Sequence, residues 1–598
     1  MDKFTSIELQ RVEGIDDLLD LRTWLAERRP ILAFDVETSG LNRGKDVIRL
    51  FQVGDRRKGW ALDYRDWRGA VKELIEGYDR PLVAHNLLFD ATMLEMDGIR
   101  VPQRQAHDTM VMCFLTNPVA RMDLKGAAAK YVDPRAAVGQ DMLEHTLATT
   151  GWSWATVPTD FNLFWEYGVL DTCLTALLAE ELWPKVRDSY RPAYETELAC
   201  IHCLRDAELV GLLVDEEVRQ QTAEKLMREI EELRPQIPVD NPGSDRQVIA
   251  YLQSVGAPLF MRTEKGNLSV DKHVMRWLAA NGFSIASKIG AFRSRTKMLG
   301  SYVEKFADVG DGGLAVNGVL RASTRPLGAK TGRMTVTEPP LQTLPRGRVV
   351  RDLIVARPGH RLLLADFKAM EMRALASLSS EQAMLQAFAR GEDFHDYVST
   401  ELFNKSFTRK QRDIVKNANF AKAYGAGVEK FAITAGIPLV EAGAFLTSYD
   451  ERFPRVAAYM QEMINSIHQQ AGGRRGTGKV QLQDGRDLVV EGAKAYVSVN
   501  YRIQGGCAVV LKERINELDA SGLGPFFRLA VHDELIYEVP EEHVPTAREI
   551  IKRVMPDDTS FPGVILEIDQ DEVHRWGAHY RGAEYPKYVE TPDPEWLT

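Results

Sequence analysis

Long hydrophobic runs are missing. No apolar stretch approaches the ~18 residues needed to span a bilayer, and the opening MDKFTSIELQRVEG lacks the apolar core of a signal peptide. A bundle of spanning helices is thereby excluded, and the chain reads as intracellular and cytoplasmic with no membrane partner. Cysteine is also scarce: there are five, an odd number, which excludes a disulfide framework and fits a reducing compartment. The one close pair, Cys200 and Cys203 in ACIHC, has no second pair at zinc-finger distance. It reads as two small apolar residues one helical turn apart. Internal repeats and low-complexity tracts are absent as well, which removes solenoids and disordered scaffolds from consideration.

Positive charge is not in excess. Lys and Arg number 75 against 85 Asp and Glu, a net −10. That balance argues against a nucleic-acid partner only weakly, because screening limits charge effects to about 8 Å and local clusters decide. Basic clusters occur in FRSRTKMLG (Arg293, Arg295, Lys297), RGRVVRD (Arg346, Arg348, Arg351) and GGRRGTGK (Arg474, Arg475, Lys479). Taken singly, each reads as a solvated face. What is present is ordinary for a soluble globular protein: 44% hydrophobic and 27% charged residues in a chain of 598. Single cores stop growing at roughly 250 to 300 residues, so two or more domains are expected.

The run PILAFDVETSG is apolar and bounded by Pro30 and Gly40, the pattern of a buried strand ending at residues 35 to 37. Strand side chains alternate, so Asp35 and Glu37 share a face and both can reach one cation. In VAHNLLFDATML, Asn86 and Asp90 stand four apart on what reads as a helix, and Tyr167 and Asp171 repeat that spacing in FWEYGVLDTCLTALLAEEL. Four carboxylates can hold two divalent cations, and a tyrosine one turn from the last can orient an attacking water. DVET, NLLFD and YGVLD, in this order, resemble the three motifs of the 3′-to-5′ exonucleases whose site is built from Asp-Glu-Asp-Asp. The resemblance implies that Asp35, Glu37, Asp90 and Asp171 bind the metals while Tyr167 positions the water. With the set complete, a live proofreading activity is expected.

From about Glu195 the texture changes to long amphipathic helical patterns such as DEEVRQQTAEKLMREIEELRPQI, giving way near residue 314 to the extended, turn-rich VNGVLRASTRPLGAKTGRMTV. In HRLLLADFKAMEMRALASLS, Leu362 to Ala365 form a short apolar strand with Asp366 at its end, followed by helical spacing. In FTRKQRDIVKNANFAKAYGAG, Arg412, Lys416, Phe420 and Tyr424 recur every four residues, and Gly425 and Gly427 stop the helix. Each step is about 6 Å, so one face presents a guanidinium, an ammonium and then aromatic planes, and a nucleoside triphosphate laid along it would meet charge at its phosphates and a ring near its base. Finally, FFRLAVHDELIYEV reads as a β-hairpin split by a two-residue His-Asp step. His532, Asp533 and Glu534 crowd its tip with no Lys or Arg nearby in sequence to offset them.

TGRMTVTEPPLQTLP, DFKAMEMR, RDIVKNANFAKAYG, VNYRIQGGCA and VHDEL, in this order, resemble the conserved run of the A-family DNA polymerases, the bacterial polymerase I type. The implied fold is multidomain, α/β and α+β: an RNase H-like 3′-to-5′ exonuclease domain followed by a right-hand polymerase of palm, fingers and thumb. The implied boundaries are 1–190 for the exonuclease and 191–330 for the thumb and the start of the palm. Residues 331–390 hold palm motif A, 391–490 the fingers with motif B, and 491–598 palm motif C and a tail. With few residues before Asp35, the 5′ nuclease domain of bacterial enzymes is expected to be absent, as in short phage replicative polymerases.

On that likeness Asp533 meets Asp366 and two Mg²⁺ supply the missing positive charge, Phe367 adds its backbone carbonyl, and Glu534 is a weaker or outer ligand. Two more Mg²⁺ belong to the exonuclease site, and Mn²⁺ is a substitute in both. Arg412 and His395 would hold phosphate oxygens, and Lys416 would also protonate departing pyrophosphate. Phe420 would pack on the incoming nucleotide, Glu371 would bar a 2′-hydroxyl, and Tyr424 would stack at the template position. Arg333, Asn500 and Gln504 would bond minor-groove acceptors, and His532 would support the hairpin and primer end. Primer-template DNA and dNTPs are the implied partners of a monomer that lacks a thioredoxin-type thumb insertion, with further replication proteins unidentified. The sequence departs from the family at Phe367-Lys368-Ala369, at Ala421 and at Tyr496. Two alternatives remain beside this reading: a nuclease or nucleic-acid-binding protein with an inactive polymerase domain, and a single-subunit RNA polymerase.

Overall fold

Six strands from the first 108 residues build one sheet: β1 (Glu8–Val12), β2 (Leu32–Thr38), β3 (Ile48–Gly54), β4 (Lys58–Asp63), β5 (Leu82–Ala84) and β6 (Ala106–Asp108), in the order β1-β4-β3-β2-β5-β6. The structure is a computed structural model that describes residues 7–579 except 28–29, 103–104, 119–121, 264–265, 346, 404–405 and 426. Arg346 and the tail from 581 therefore lie outside the described residues. Strand β2 runs antiparallel to β3 and parallel to β5. Leu32, Ala33 and Phe34 are fully buried, as befits an inner strand covered on both faces.

Helices cover this sheet. They include α1 (Leu87–Met96), α2 (Leu124–Tyr131) and the long α3 (Asn162–Ser189), which crosses β2, β3 and β4. Asp123 caps α2 by accepting from the Gly126 N–H at 2.8 Å. The expected one-turn pairing of Asn86 with Asp90 needs correcting: Asn86 stands before the helix in the left-handed region, φ +75, and only Asp90 is helical. Helix α4 (Arg191–Val210) follows directly and buries Cys200 and Cys203 as ordinary core residues.

The sheet is fastened to the remainder of the chain just after β2. Asn42 donates to the Leu314 carbonyl at 2.9 Å, and Arg43 forms a 3.1 Å ion pair with Glu208 of α4, both side chains being buried. Beyond α4, helices Glu216–Leu233, Asp245–Ser254, Lys272–Ala280 and Ser284–Met298 form an arm whose outer part has its own small core, including Val248, Leu252, Leu278 and Ile289. Asp215, Ser244 and Asp271 cap three of them, each through a side-chain oxygen accepting from the first turn. Arg293 and Arg295 of the first basic cluster are spent here on Pro242 O, Val270 O and Glu229 rather than facing solvent.

The second major sheet is antiparallel throughout: β7 (His360–Phe367), β8 (Phe527–Val531), β9 (Glu534–Pro540) and β10 (Ile568–Val573), ordered β8-β9-β7-β10. The run LLLA places Leu362 to Ala365 in the core, worth about 1.5–3 kcal/mol for each large side chain removed from water. The β8–β9 hairpin has the two-residue His532-Asp533 turn read from the sequence, with Val531 paired to Glu534. No Asn-Gly is present, so His532 itself takes the positive φ, +59, that such a turn requires. Around this sheet lie α5 (Met370–Ser379), α6 (Phe394–Phe403), α7 (Arg409–Ala423) and α8 (Val497–Leu518). Thr408 and Gln411 close the start of α7 as a reciprocal capping box. Its end is set by Gly425 at φ +63, where a Cβ would lie 2.8 Å from the Tyr496 carbonyl oxygen. No single helix among the described residues is long and apolar enough to cross a membrane.

Two candidate carboxylate sites

The first site gathers around β2. Alternation along the strand projects Asp35 and Glu37 to one side, where α3 delivers Asp171, and the three offer carboxylate oxygens within 4.8 Å of one another. Asp90 of α1 comes from the other flank: its Oδ1 accepts from the Val36 N–H at 3.2 Å, and its carboxyl hydrogen-bonds Asp35. Burial raises Asp35, Glu37 and Asp90. Asp35 is pushed up to about 7, with Lys125 opposing the rise. Glu37 and Asp90 move well above the usual carboxylate range, by burial and then by the charge of Asp35. Tyr167, one turn before Asp171, has its phenol raised by burial and by Glu37 and Asp35.

One residue at this site had no signal in the sequence. Lys125 of α2 is only 5% exposed, and its ammonium is ion-paired with Asp171 and stands 4.3 Å from the centre of the Tyr167 ring. Burial lowers this lysine to about 8, against the pull of Glu37 and Asp35. Its neighbours DLKGAAAKY read only as a short helix; the partner lies 46 positions away and on another element. An all-oxygen donor set this compact fits hard divalent cations.

The second site lies where β7 meets the hairpin. Asp366 stands opposite Glu534 on one side and Asp569 on the other, and its carboxyl hydrogen-bonds that of Asp533. The Asp366 side chain opens onto solvent, yet crowding by protein atoms and then by Asp533 and Glu534 raises it to about 9, and burial raises Asp533 as well. The two shifts differ in cause: beyond burial, Asp533 raises Asp366, whereas burial raises Asp533 against the hydrogen bond from Asp366 and the charge of Arg333. Phe367 is buried, and its N–H donates to the Asp533 carbonyl at 3.3 Å.

Glu534 does have a cationic partner, drawn from far along the chain, since no Lys or Arg stands near the tip in sequence. Arg351, from the second basic cluster, is 5% exposed, sits 3.6 Å from Glu534 Oε2 and lies over the Trp576 ring, whose indole N–H also donates to Glu534. A residue read as part of a solvated face is thus buried. Burial raises Glu534 to about 7 while Arg351 opposes it.

A cleft of about 520 Å³ opens beside the hairpin, lined by Arg333, Glu371, His395, Phe420, Tyr424, Gln504, His532 and Asp533 among others. Glu371, in the first turn of α5, is its hub. One carboxylate oxygen takes the Arg333 guanidinium and, at 3.4 Å, the Gln504 amide; the other takes the Tyr424 phenol at 2.7 Å. The Phe420 and Tyr424 rings stack at 5.9 Å. His395 is hydrogen-bonded to Asn419 at 2.9 Å and is pushed down to about 4 by burial, so it stays neutral. Arg412 is held by Asp393 and Asp396 at the start of α6, a pairing that sequence reading did not foresee. Lys416 lies one turn on along α7, and Asn500 lies one turn before Gln504 on α8, outside the cleft lining.

Comparison with known proteins agrees in both halves. The sequence profile of DNA polymerase family A matches residues 214–578, and that of a 3′-5′ exonuclease matches residues 12–187. A DNA polymerase of Mycobacterium phage D29 is 27% identical over 97% of this chain and 98% of its own length. The DNA polymerase I of Rhizobium leguminosarum is 26% identical over 94% of this chain and 60% of its own. Among solved structures, the POL domain of Pol1 from M. smegmatis, in complex with DNA primer-template and dNTP, superposes with a TM-score of 0.75 at 21% identity, covering 96% of this chain and all of that one.

Proposed function

The chain belongs to DNA polymerase family A and is a DNA polymerase with a 3′-5′ exonuclease domain, and from that premise we propose that it extends a primer 3′ end with dNTPs on a DNA template and removes misincorporated ends at the β2 site. The observation that carries this reading is the meeting of Asp366 with Asp533, acids far apart in sequence whose carboxyls bond one another beside the nucleotide-sized cleft. The near full-length match to phage polymerases supports a role in copying a phage genome, and we take the chain to act there as a monomer in the host cytoplasm.

Asp366, Asp533 and the Phe367 carbonyl would hold two divalent cations, and Asp35, Glu37, Asp90 and Asp171 two more, with Mg²⁺ the natural fit and Mn²⁺ a substitute. Such cations supply positive charge that stabilises the attacking and leaving oxygens of an in-line displacement. The remaining steps belong to side chains. During extension the primer 3′-hydroxyl gives its proton to water, the bond from its O3′ to the α-phosphorus forms as the bond from that phosphorus to its bridging oxygen breaks, and pyrophosphate leaves. Arg412 exchanges Asp393 and Asp396 for phosphate oxygens, and Lys416 gives a proton to the departing pyrophosphate. Neutral His395 bonds phosphate, Phe420 packs on the incoming base, and Glu371 occupies the space of a 2′-hydroxyl. Tyr424 holds the template position until the base arrives. Arg333, Asn500 and Gln504 donate to minor-groove acceptors, which are shared by all correct pairs and so test geometry rather than sequence. His532 braces the primer end. At the other site Tyr167 orients the attacking water while Lys125 offsets the charge of the acids.

We assign residues 1–190 to the exonuclease, 191–330 to the thumb and first part of the palm, 331–390 and 491–598 to the palm with its tail, and 391–490 to the fingers. The test is a labelled primer-template incubated with Mg²⁺ and either deoxy- or ribonucleotides. Extension with deoxynucleotides alone, and shortening of a mismatched primer without nucleotides, are expected. Ribonucleotide extension would favour an RNA polymerase, and no extension at all would leave only a nuclease.

A further inference from the structure

Lys512, Glu197 and Arg486 form a charged cluster that the chemistry above does not use, and none is more than 1% exposed. They come from α8, from α4 and from the loop of the hairpin Thr477–Gln481 and Asp487–Glu491. The Lys512 ammonium donates to both Glu197 oxygens at 2.7 Å. Arg486 donates to Glu197 at 2.6 Å and pairs with Asp484. Taking these ions out of water is costly, and well-packed apolar residues of equal volume would hold a core as firmly. Stability alone therefore does not account for them.

The other two partners of Lys512 do. Its ammonium also donates to the main-chain carbonyls of Pro326 at 2.9 Å and Gly332 at 2.8 Å. These carbonyls flank a tight turn in which the Gly332 N–H donates to Ala329 O at 2.9 Å and the Ala329 N–H to Arg333 O at 3.1 Å. Gly332 adopts φ +80, a conformation that suits glycine. Arg333 leaves this turn to reach Glu371. Gln504, which meets the same Glu371 oxygen, stands on the same face of α8 two helical turns before Lys512. Both arms that converge on Glu371 from this side are thus anchored to one helix.

We propose that Lys512, clamped by Glu197, is a positioning residue of the polymerase site. It fixes the Gly332 carbonyl so that Arg333 meets Glu371 in register, and through Arg333 it sets the rejection of ribonucleotides and of mismatched primer ends. The inference rests on the reading of Arg333 and Glu371 given above. A lysine suits the task because its compact ammonium can serve a carboxylate and two carbonyls from one point, which a planar guanidinium cannot.

Full-length K512M, R333A and the double variant test it, with selectivity measured in an exonuclease-silent Asp35→Ala background. K512M is expected to lose about tenfold in its preference for deoxy- over ribonucleotides and in its refusal to extend mismatched ends, the size seen when members of one hydrogen-bonded network couple. In the R333A background it is expected to add nothing. Without the Asp35 change, K512M should degrade single strands at the parental rate, which reports a folded chain. Parental selectivity in K512M, or an effect that adds in full to that of R333A, overturns the proposal. Parental selectivity in R333A removes instead the reading from which it starts, so the two failures are distinguishable. If K512M fails to fold by thermal melt, E197Q keeps the carboxylate's shape without its charge; it should shift selectivity in the same direction by a smaller factor, and parental values there also overturn the proposal.

Discussion

The Tyr424 phenol donates a 2.7 Å hydrogen bond to Glu371, whose other oxygen takes the Arg333 guanidinium. Tyrosine and glutamate come from the end of α7 and the start of α5, so the bond ties these two elements together at the cleft. On the roles proposed above, a base pair that enters would have to break it.

If that gating role holds, Tyr424→Phe removes a contact made only in the waiting enzyme. Loss of one hydrogen bond to a charged group, about 1.5 kcal/mol, should lower the KM for correct dNTP by roughly tenfold with little change in kcat. Steady-state single-nucleotide incorporation reads this directly, and an unchanged KM would refute the gating role.

The two carboxylate sites share no residue, so their activities should separate. Asp533→Ala is expected to reduce primer extension at least about a thousandfold while sparing single-strand degradation. Primer extension at near-parental rate would count against the assignment.

Lys125 is ion-paired with Asp171, so on the proposed roles it would compete with cations for that carboxylate and offset the charge of the cluster. In Lys125→Met the exonuclease rate should fall by about tenfold or more, yet the cation concentration giving half-maximal rate should also fall, because the ammonium no longer occupies that carboxylate. A titration of exonuclease rate against Mg²⁺ checks both, and a parental curve would exclude the role.

The acids around β2 also make stability depend on pH. A carboxyl with an ordinary value of 3.8 is held protonated to about 7 at Asp35, and Glu37 and Asp90 are raised likewise. Between those values the cation-free fold binds more protons than the unfolded chain, so its stability falls as pH rises from about 4 to 7. Divalent cations compete with those protons. Mg²⁺ should accordingly raise the melting temperature by about 2 °C or more at pH 8 and by much less at pH 5, measured against a chelator control. Equal shifts at both pH values would contradict this.

Much of this molecule was legible before its structure. Asp35 with Glu37, Asp366 at its strand end and the four-residue recurrence from Arg412 to Tyr424 are local patterns, fixed by strand alternation or helical period, and the folded chain reproduces them. What stayed hidden depends on long-range pairing. Lys125 belongs to Asp171, Arg351 to Glu534, and Lys512 to Glu197 and Gly332, partners 46 to 315 positions apart. No periodicity encodes such meetings. Asn86 failed for another reason: its left-handed backbone ends one element before the next begins, which spacing alone does not reveal.

The loop that follows the acidic strand β2 is riveted to the body of the molecule by Arg43 with Glu208 and by Asn42 with Leu314. If those two ties hold the sites at a fixed separation, it is the growing strand that would commute between synthesis and erasure. The choice between adding and erasing would then fall to the duplex terminus: an end that frays easily would visit the erasing site, and a well-stacked one would stay to be lengthened.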